Sequence, residues 1–167
     1  MSGDGPGGEL THQDADGRIR MVDVGGKSVT DRRALAGARI SMSEAAFIAL
    51  RDGQGPKGDA LKTAELAGIM AAKKTSDLIP LCHPLPLTKA KVSIEAAEAD
   101  FAFEVRAEVK TTGKTGVEME ALTAASIAAL TLYDMGKALD PAMVIGEVRL
   151  LEKSGGRSGD YRREDAE

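Results

Sequence analysis

The chain has 167 residues, with 22 Lys and Arg against 26 Asp and Glu, a net charge of −4, one cysteine and two histidines. That length suits one domain with its own core. The acidic balance excludes a global pull toward nucleic acid or an anionic membrane, and Cys82, His12 and His83 alone offer neither an intrachain disulfide nor a zinc ligand set.

Residues 1–18 are Gly-rich and polar, so they read as a flexible N-terminus without a secretory signal. "IRMVDVGGK" reads as a short extended stretch closing in a Gly-Gly turn. "ALAGARISM", residues 34–42, predicts a strand. "SEAAFIALRDG" predicts a short helix with Ser43 as N-cap and Gly53 as stop. A glycine loop, "GQGPKG", carries Lys57. Asp59 then caps a second helix to about Lys74, with Leu61, Ala64, Gly68, Ile69 and Ala72 on its buried side. Its last lysines, Lys73 and Lys74, sit at the negative end of the helix dipole.

"DLIPLCHPLPLTK" holds three prolines and predicts a constrained, non-helical segment. From Ala90 to Thr112 apolar and polar residues alternate about a turn near Ala97–Asp100, which is a hairpin pattern. A long helix is predicted from about Val117 to Leu139, and "MVIGEVRLLEK" as the last strand. Residues 154–167 form a polar, Gly-rich tail, read as flexible. Helices mixed with antiparallel strands predict an α+β fold, with the helices on one face of the sheet. The longest run of low polarity, Ala121–Tyr133, is too short to span a bilayer, so a cytoplasmic location is expected.

Four features carry candidate chemistry. "GKT" at 113–115 looks like the end of a phosphate loop, but such a loop needs a glycine five residues before Gly113, and Glu108 stands there. Glu120, Thr123, Ile127, Leu130, Asp134 and Lys137 form one stripe of the long helix. Glu120 and Asp134 are about 21 Å apart at 1.5 Å per residue. Two copies packed antiparallel about Ile127 would bring Glu120 of one near Asp134 of the other, an isologous contact. The other reading of Asp134 and Lys137 is a plain surface pair. "LCHP" places His83 rigidly, either as an acid or base or as a structural imidazole. Cys82 reads as a packed thiol. Lys57, Lys153 and Arg157 lie in Gly-rich segments that could close over an anion, or are ordinary solvated cations.

Taken in order, "THQDADG…RMVDV", "KGDAL", "ELAGIMAAKKTSDLIPLCHPL", "TGKTGVEMEALTAASIAALTLYDM" and "VRLLEKSGGRSGDY" resemble the MoaC family of molybdenum cofactor synthesis, the cyclic pyranopterin monophosphate synthases. The likeness runs from about Leu10 to Arg163. It implies a ferredoxin-like fold, a hexamer built as a trimer of dimers, and an active site at the dimer interface. The implied reaction is a lyase reaction converting 3′,8-cyclo-7,8-dihydro-GTP to cyclic pyranopterin monophosphate and pyrophosphate. On matching positions, Lys57 and Lys137 become essential cations and Asp134 a general acid or base. Leu81, Cys82, His83, Glu118, Met119 and Glu120 become the substrate pocket, with Lys153 acting from the tail and Arg32 on phosphate. Gly136 departs from a frequent Cys, Glu65 from a frequent Arg, and the glycines at 25–26 from small polar residues. No tightly bound cofactor is expected, although Mg²⁺ on the substrate phosphates fits this chemistry. The alternative is a non-catalytic ferredoxin-like module that binds a nucleotide or pterin.

Overall fold

In the computed structural model, residues 17–157 and 159–164 are described. Strand β1 (Thr30–Ser41) leads through α1 (Glu44–Arg51), α2 (Ala60–Ala72) and the single turn α3 (Thr75–Leu78) to β2 (Leu87–Ala97). A 3₁₀ turn at Glu98–Asp100 closes the hairpin onto β3 (Ala102–Gly113). Helix α4 (Glu118–Gly136), β4 (Val144–Ser154) and β5 (Tyr161–Arg162) complete the chain. All pairings are antiparallel, in the order β2-β3-β1-β4-β5. The first four strands of that order, with helices after β1 and β3, are the ferredoxin-like βαββαβ arrangement. The expected α+β class is therefore the observed one. No helix among the described residues is long and apolar enough to cross a membrane.

The sheet sorts its residues by the two-residue period of a strand. Ala34, Ala36, Ala38 and Ile40 of β1 and Phe103, Val105, Ala107 and Val109 of β3 are buried beneath the helices. Alternate positions carry charge on the other face. Arg33 meets Glu152 at 2.7 Å and Arg39 meets Glu104 at 2.7 Å, pairing neighbouring strands across that face. Exposed pairs of this kind add at most about 1 kcal/mol each, so burial on the helical face carries the sheet.

Helices α1 and α2 start where their caps dictate. The Ser43 hydroxyl accepts from Ala46 N–H, and the Asp59 carboxylate accepts from Lys62 N–H. Helix α2 stops at Ala72 rather than Lys74. Thr75 then donates its hydroxyl to the Ala71 and Ala72 carbonyls, satisfying the end of α2 and opening α3. Asp77 and Leu78, expected in the non-helical segment, are thus helical. The chain turns extended at Ile79, before Pro80. Strand β1 begins at Thr30, four residues before the predicted strand, because Thr30–Arg33 pair with Gly113–Lys110 of β3. Helix α4 ends at Gly136, not Leu139. Gly136 is pressed by Leu50 and Met143, and an added Cβ would lie 2.9 Å from Leu50 Cδ1. Within the polar tail, β5 pairs back on β4 through Tyr161 and Arg162.

Small residues let α2 and α4 approach closely. Ala64, Gly68 and Ala72 face a run of buried alanines on α4 at 121, 124, 125, 128 and 129. A Cβ on Gly68 would stand 2.9 Å from the Ala124 carbonyl and 2.9 Å from Val92 Cγ2. In an exposed helix, Gly→Ala gains about 0.5–1 kcal/mol. At this crossing the sign reverses: Gly68→Ala should lose about 1–3 kcal/mol, the scale of overpacking. Urea unfolding of the two forms checks this, and a Gly68→Ala form at least as stable as the parent contradicts the close crossing.

Candidate active site

Both ends of α4 carry functional groups, and the helix keeps them apart. At its N-terminal end the segment Ile79–Leu85, which holds Pro80 and Pro84, runs beside Glu118, Met119 and Glu120. Together with Val22 and Val24 they line a cleft of about 470 Å³ that also takes in Leu81, Cys82 and His83. His83 Nε2 lies 2.9 Å from the Val22 carbonyl. A carbonyl can only accept, so Nε2 carries the proton in this contact and Nδ1 is the nitrogen left to act elsewhere.

Glu120 is only 4% exposed and makes no ion pair among the described residues. Burial, and then the neighbouring Glu118 carboxylate, push its pKa above the ordinary carboxylate value. Cys82 is raised in the same way, by burial and then by Glu120. Its thiol is therefore held protonated, which suits packing rather than nucleophilic attack.

A second hollow of about 530 Å³ joins this cleft through Lys27, Thr115, Gly116 and Glu118. Lys27, Arg32, Arg33, Lys114, Lys153 and Arg157 bring six cations to its wall. Glu118 stands where the two spaces meet and pairs with Lys153 at 3.2 Å. Thr30 Oγ1 and Arg32 Nε are buried here with no hydrogen-bond partner among the described residues. Such groups cost free energy unless something polar meets them.

At the C-terminal end of α4, Asp134 lies between two lysines. Lys57 Nζ meets one carboxylate oxygen at 2.6 Å and Lys137 Nζ the other at 2.7 Å. The hydrogen bond from Lys137, then that from Lys57, holds the Asp134 pKa down to about 2. Lys137 is raised in turn by Asp134. The glycine loop, with Gly53 and Gly58 at positive φ, delivers Lys57 to the helix end.

The candidate residues thus fall into two sets. Leu81, Cys82, His83, Glu118, Met119, Glu120 and Lys153 gather at one end. Lys57, Asp134 and Lys137 gather at the other, about 21 Å along the helix. Between them Thr123 and Ile127 are half-buried and Leu130 is exposed, so the stripe is an open apolar strip in the single chain. Sequence reasoning missed Lys27 and Lys114. Lys114 stands in the GKT turn that fails the spacing of a phosphate loop, yet its Nζ donates to the Gly25 carbonyl at 2.6 Å and pins the Gly-Gly turn against the groove. The repeated Gly–Lys turns were the signal that could have found both.

The family model described as MoaC matches residues 21–156. The chain belongs to the MoaC family. Curated relatives agree along nearly their whole length. A cyclic pyranopterin monophosphate synthase of Heliobacterium modesticaldum is 58% identical, covering 93% of this chain and 98% of the relative. Proteins of the same name from Thermomicrobium roseum and Desulfitobacterium hafniense are each 55% identical, over 95% and 94% of this chain and 96% of either relative. The matched span of this MoaC-family chain includes both residue sets and the groove as far as Gly156.

The buried Glu120 makes a testable pH signature. Its folded pKa is raised above 4.5, so the folded chain holds a proton that the unfolded chain has released. Stability is then lost as pH rises above 4.5 through the raised value. Glu120→Gln removes that loss. Thermal melts should show the variant gaining on the parent as pH rises from about 4 to about 8, with little difference at the acid end. A gap that stays constant with pH would contradict a desolvated carboxyl.

Proposed function

We infer that this chain is a cyclic pyranopterin monophosphate synthase, a lyase of molybdenum cofactor biosynthesis. Its substrate is 3′,8-cyclo-7,8-dihydro-GTP and its second product is pyrophosphate. The observation that carries this reading is the junction at Glu118. There a cleft with a buried carboxyl and an imidazole opens into a groove of six cations, in a chain of net charge −4. A bicyclic base fits the first space and a polyphosphate the second.

The reaction opens a purine-derived ring, recloses it as a pterin system and closes a cyclic phosphate. Its proton transfers need acids and bases of different strength. Glu120, with its raised pKa, supplies an acid near the ring, and His83 Nδ1 supplies a group that can accept or donate. The groove cations neutralise charge that develops on pyrophosphate as it leaves. Mg²⁺, where the reaction uses it, would ride on the substrate phosphates.

Asp134 rests as an anion clamped by two lysines, so in that state it is a poor base. When a phosphate draws Lys57 and Lys137 toward itself, the carboxylate loses its partners and its basicity rises. Proton transfer by Asp134 is thus tied to occupancy by the anion. The second residue set reaches the cleft from another copy of the chain, and the open strip around Ile127 and Leu130 supports antiparallel packing of two α4 helices. Three such dimers make the proposed hexamer.

Release of pyrophosphate from the cyclised nucleotide is the direct assay; binding without release would leave only a ligand-binding module. Lys57→Ala, Asp134→Asn and Lys137→Ala should each lower kcat by at least about a hundredfold. Wild-type turnover in any of them removes that residue from the mechanism. Mixing inactive Glu120→Ala chains with inactive Asp134→Asn chains should restore part of the activity after subunit exchange. No recovery in verified mixed dimers argues for sites complete within one chain.

A further inference from the structure

Gly155 and Gly156 follow β4 with φ of +93° and +85°, a left-handed pair that L side chains rarely adopt. Their neighbour is Arg32, brought from β1. A Cβ on Gly156 would stand 1.7 Å from Arg32 Nη1 and 2.5 Å from Cζ, and one on Gly155 would stand 2.0 Å from the Asp31 carbonyl oxygen. The Arg32 guanidinium therefore occupies the volume that a side chain at 156 would fill. Arg32 donates from Nη1 to the Gly155 carbonyl at 3.3 Å and from Nη2 to the Lys114 carbonyl at 3.4 Å. These are long, neutral acceptors, and Nε has none among the described residues. No carboxylate pairs with Arg32 among those residues, whereas Arg33 beside it is spent on Glu152 and Glu108. The loop holding the pair is itself tied down: Gly155 N–H donates to Asp160 Oδ1, and β5 pairs with β4 just beyond.

We propose that Gly156, with Gly155, is a positioning residue that seats the Arg32 guanidinium on the wall of the cationic groove and leaves it unspent for a phosphate oxygen. The proposal rests on the reading of that groove as the polyphosphate site. A planar fork binds a phosphate well only when its plane is fixed beforehand, and carbonyls fix it without neutralising it. A glutamate partner would do the first and defeat the second. The absent side chain at 156 makes room for the plane.

The test uses inorganic pyrophosphate as the probe, with calorimetric binding and thermal melts on the parent, Gly156→Ala, Gly159→Ala, Arg32→Ala and the double variants. Gly159 also has positive φ, +72°, but no atom within 4 Å of its added Cβ. It carries the backbone strain without touching Arg32. Gly156→Ala should weaken pyrophosphate about tenfold or more and raise the KM of the cyclised nucleotide, since small misplacements of a charged group cost this much. Gly159→Ala should leave both unchanged. In the Arg32→Ala background, Gly156→Ala should weaken binding no further and cost no more stability than Gly159→Ala does there. That last comparison decides the question even if Gly156→Ala alone fails to fold. Equal loss of binding in Gly156→Ala and Gly159→Ala, or a Gly156→Ala effect undiminished without Arg32, overturns the positioning role while the groove reading stands. Parent protein that ignores pyrophosphate, together with a KM indifferent to Arg32→Ala, overturns both.

Discussion

The rigidity and bare surface of α4 govern the rest of the molecule. From Ala121 to Tyr133 the helix has no charged side chain, so its sides can be buried in small-residue contacts with α2 and the sheet. Gly68 and the alanines that face it set that approach. Because the helix runs unbroken from Glu118 to Gly136 and packs on α2 and the sheet, its two charged ends cannot fold toward each other. A chain built this way presents one set of reactive groups at each end and a strip of Thr123, Ile127 and Leu130 between them. For the proposed reaction, two-fold pairing along that strip is the simplest arrangement that would bring the two sets together.

The same helix holds two carboxylates in opposite electrostatic states. Glu120 is inside, away from cations, and burial favours its neutral form. Asp134 is outside, and two lysines favour its charged form. Groups of one chemical type are pushed apart in pKa by their surroundings, the pattern expected where one site must both give and take protons. In the proposed reaction the paired lysines matter as much as the carboxylate, since a polyanion would compete with Asp134 for them. On the proposed function, anion binding and activation of Asp134 are then one event rather than two.

Much of the fold was legible because local signals agreed. Ser43 and Asp59 marked helix starts, alternation marked the β2–β3 hairpin, and an uncharged run marked α4. The boundaries that moved did so for tertiary reasons. Thr30–Arg33 are polar and joined the strand because β3 offers pairing partners, and Thr75 restarted a helical turn by bonding to carbonyls left open at the end of α2. For the site, the stripe on α4 and the proline-held His83 were readable from spacing, and family likeness supplied the roles proposed for them. The groove was not readable in the same way. Lys27, Arg32, Lys114, Lys153 and Arg157 come from three separate turns and strand ends, so their convergence exists only after β1 has paired with both β3 and β4.

That convergence also explains why a failed motif was informative. A Walker-type loop would wrap phosphate with consecutive N–H groups at one helix start. This chain has Glu108 where the first glycine is needed, and in the folded sheet Glu108 pairs with Lys89, Lys110 and Arg33. The strand that forbids the loop gathers these three cations around one carboxylate. It also delivers Lys114 to the Gly25 carbonyl and the Lys114 carbonyl to Arg32. Positive charge is spread over separate segments, and among the described residues Glu118 is the one carboxylate lining the hollow. In that wall Arg32 and Lys114 are held by main-chain oxygens, which fix position without cancelling charge, while Lys153 pairs with Glu118 and Arg33 with Glu152.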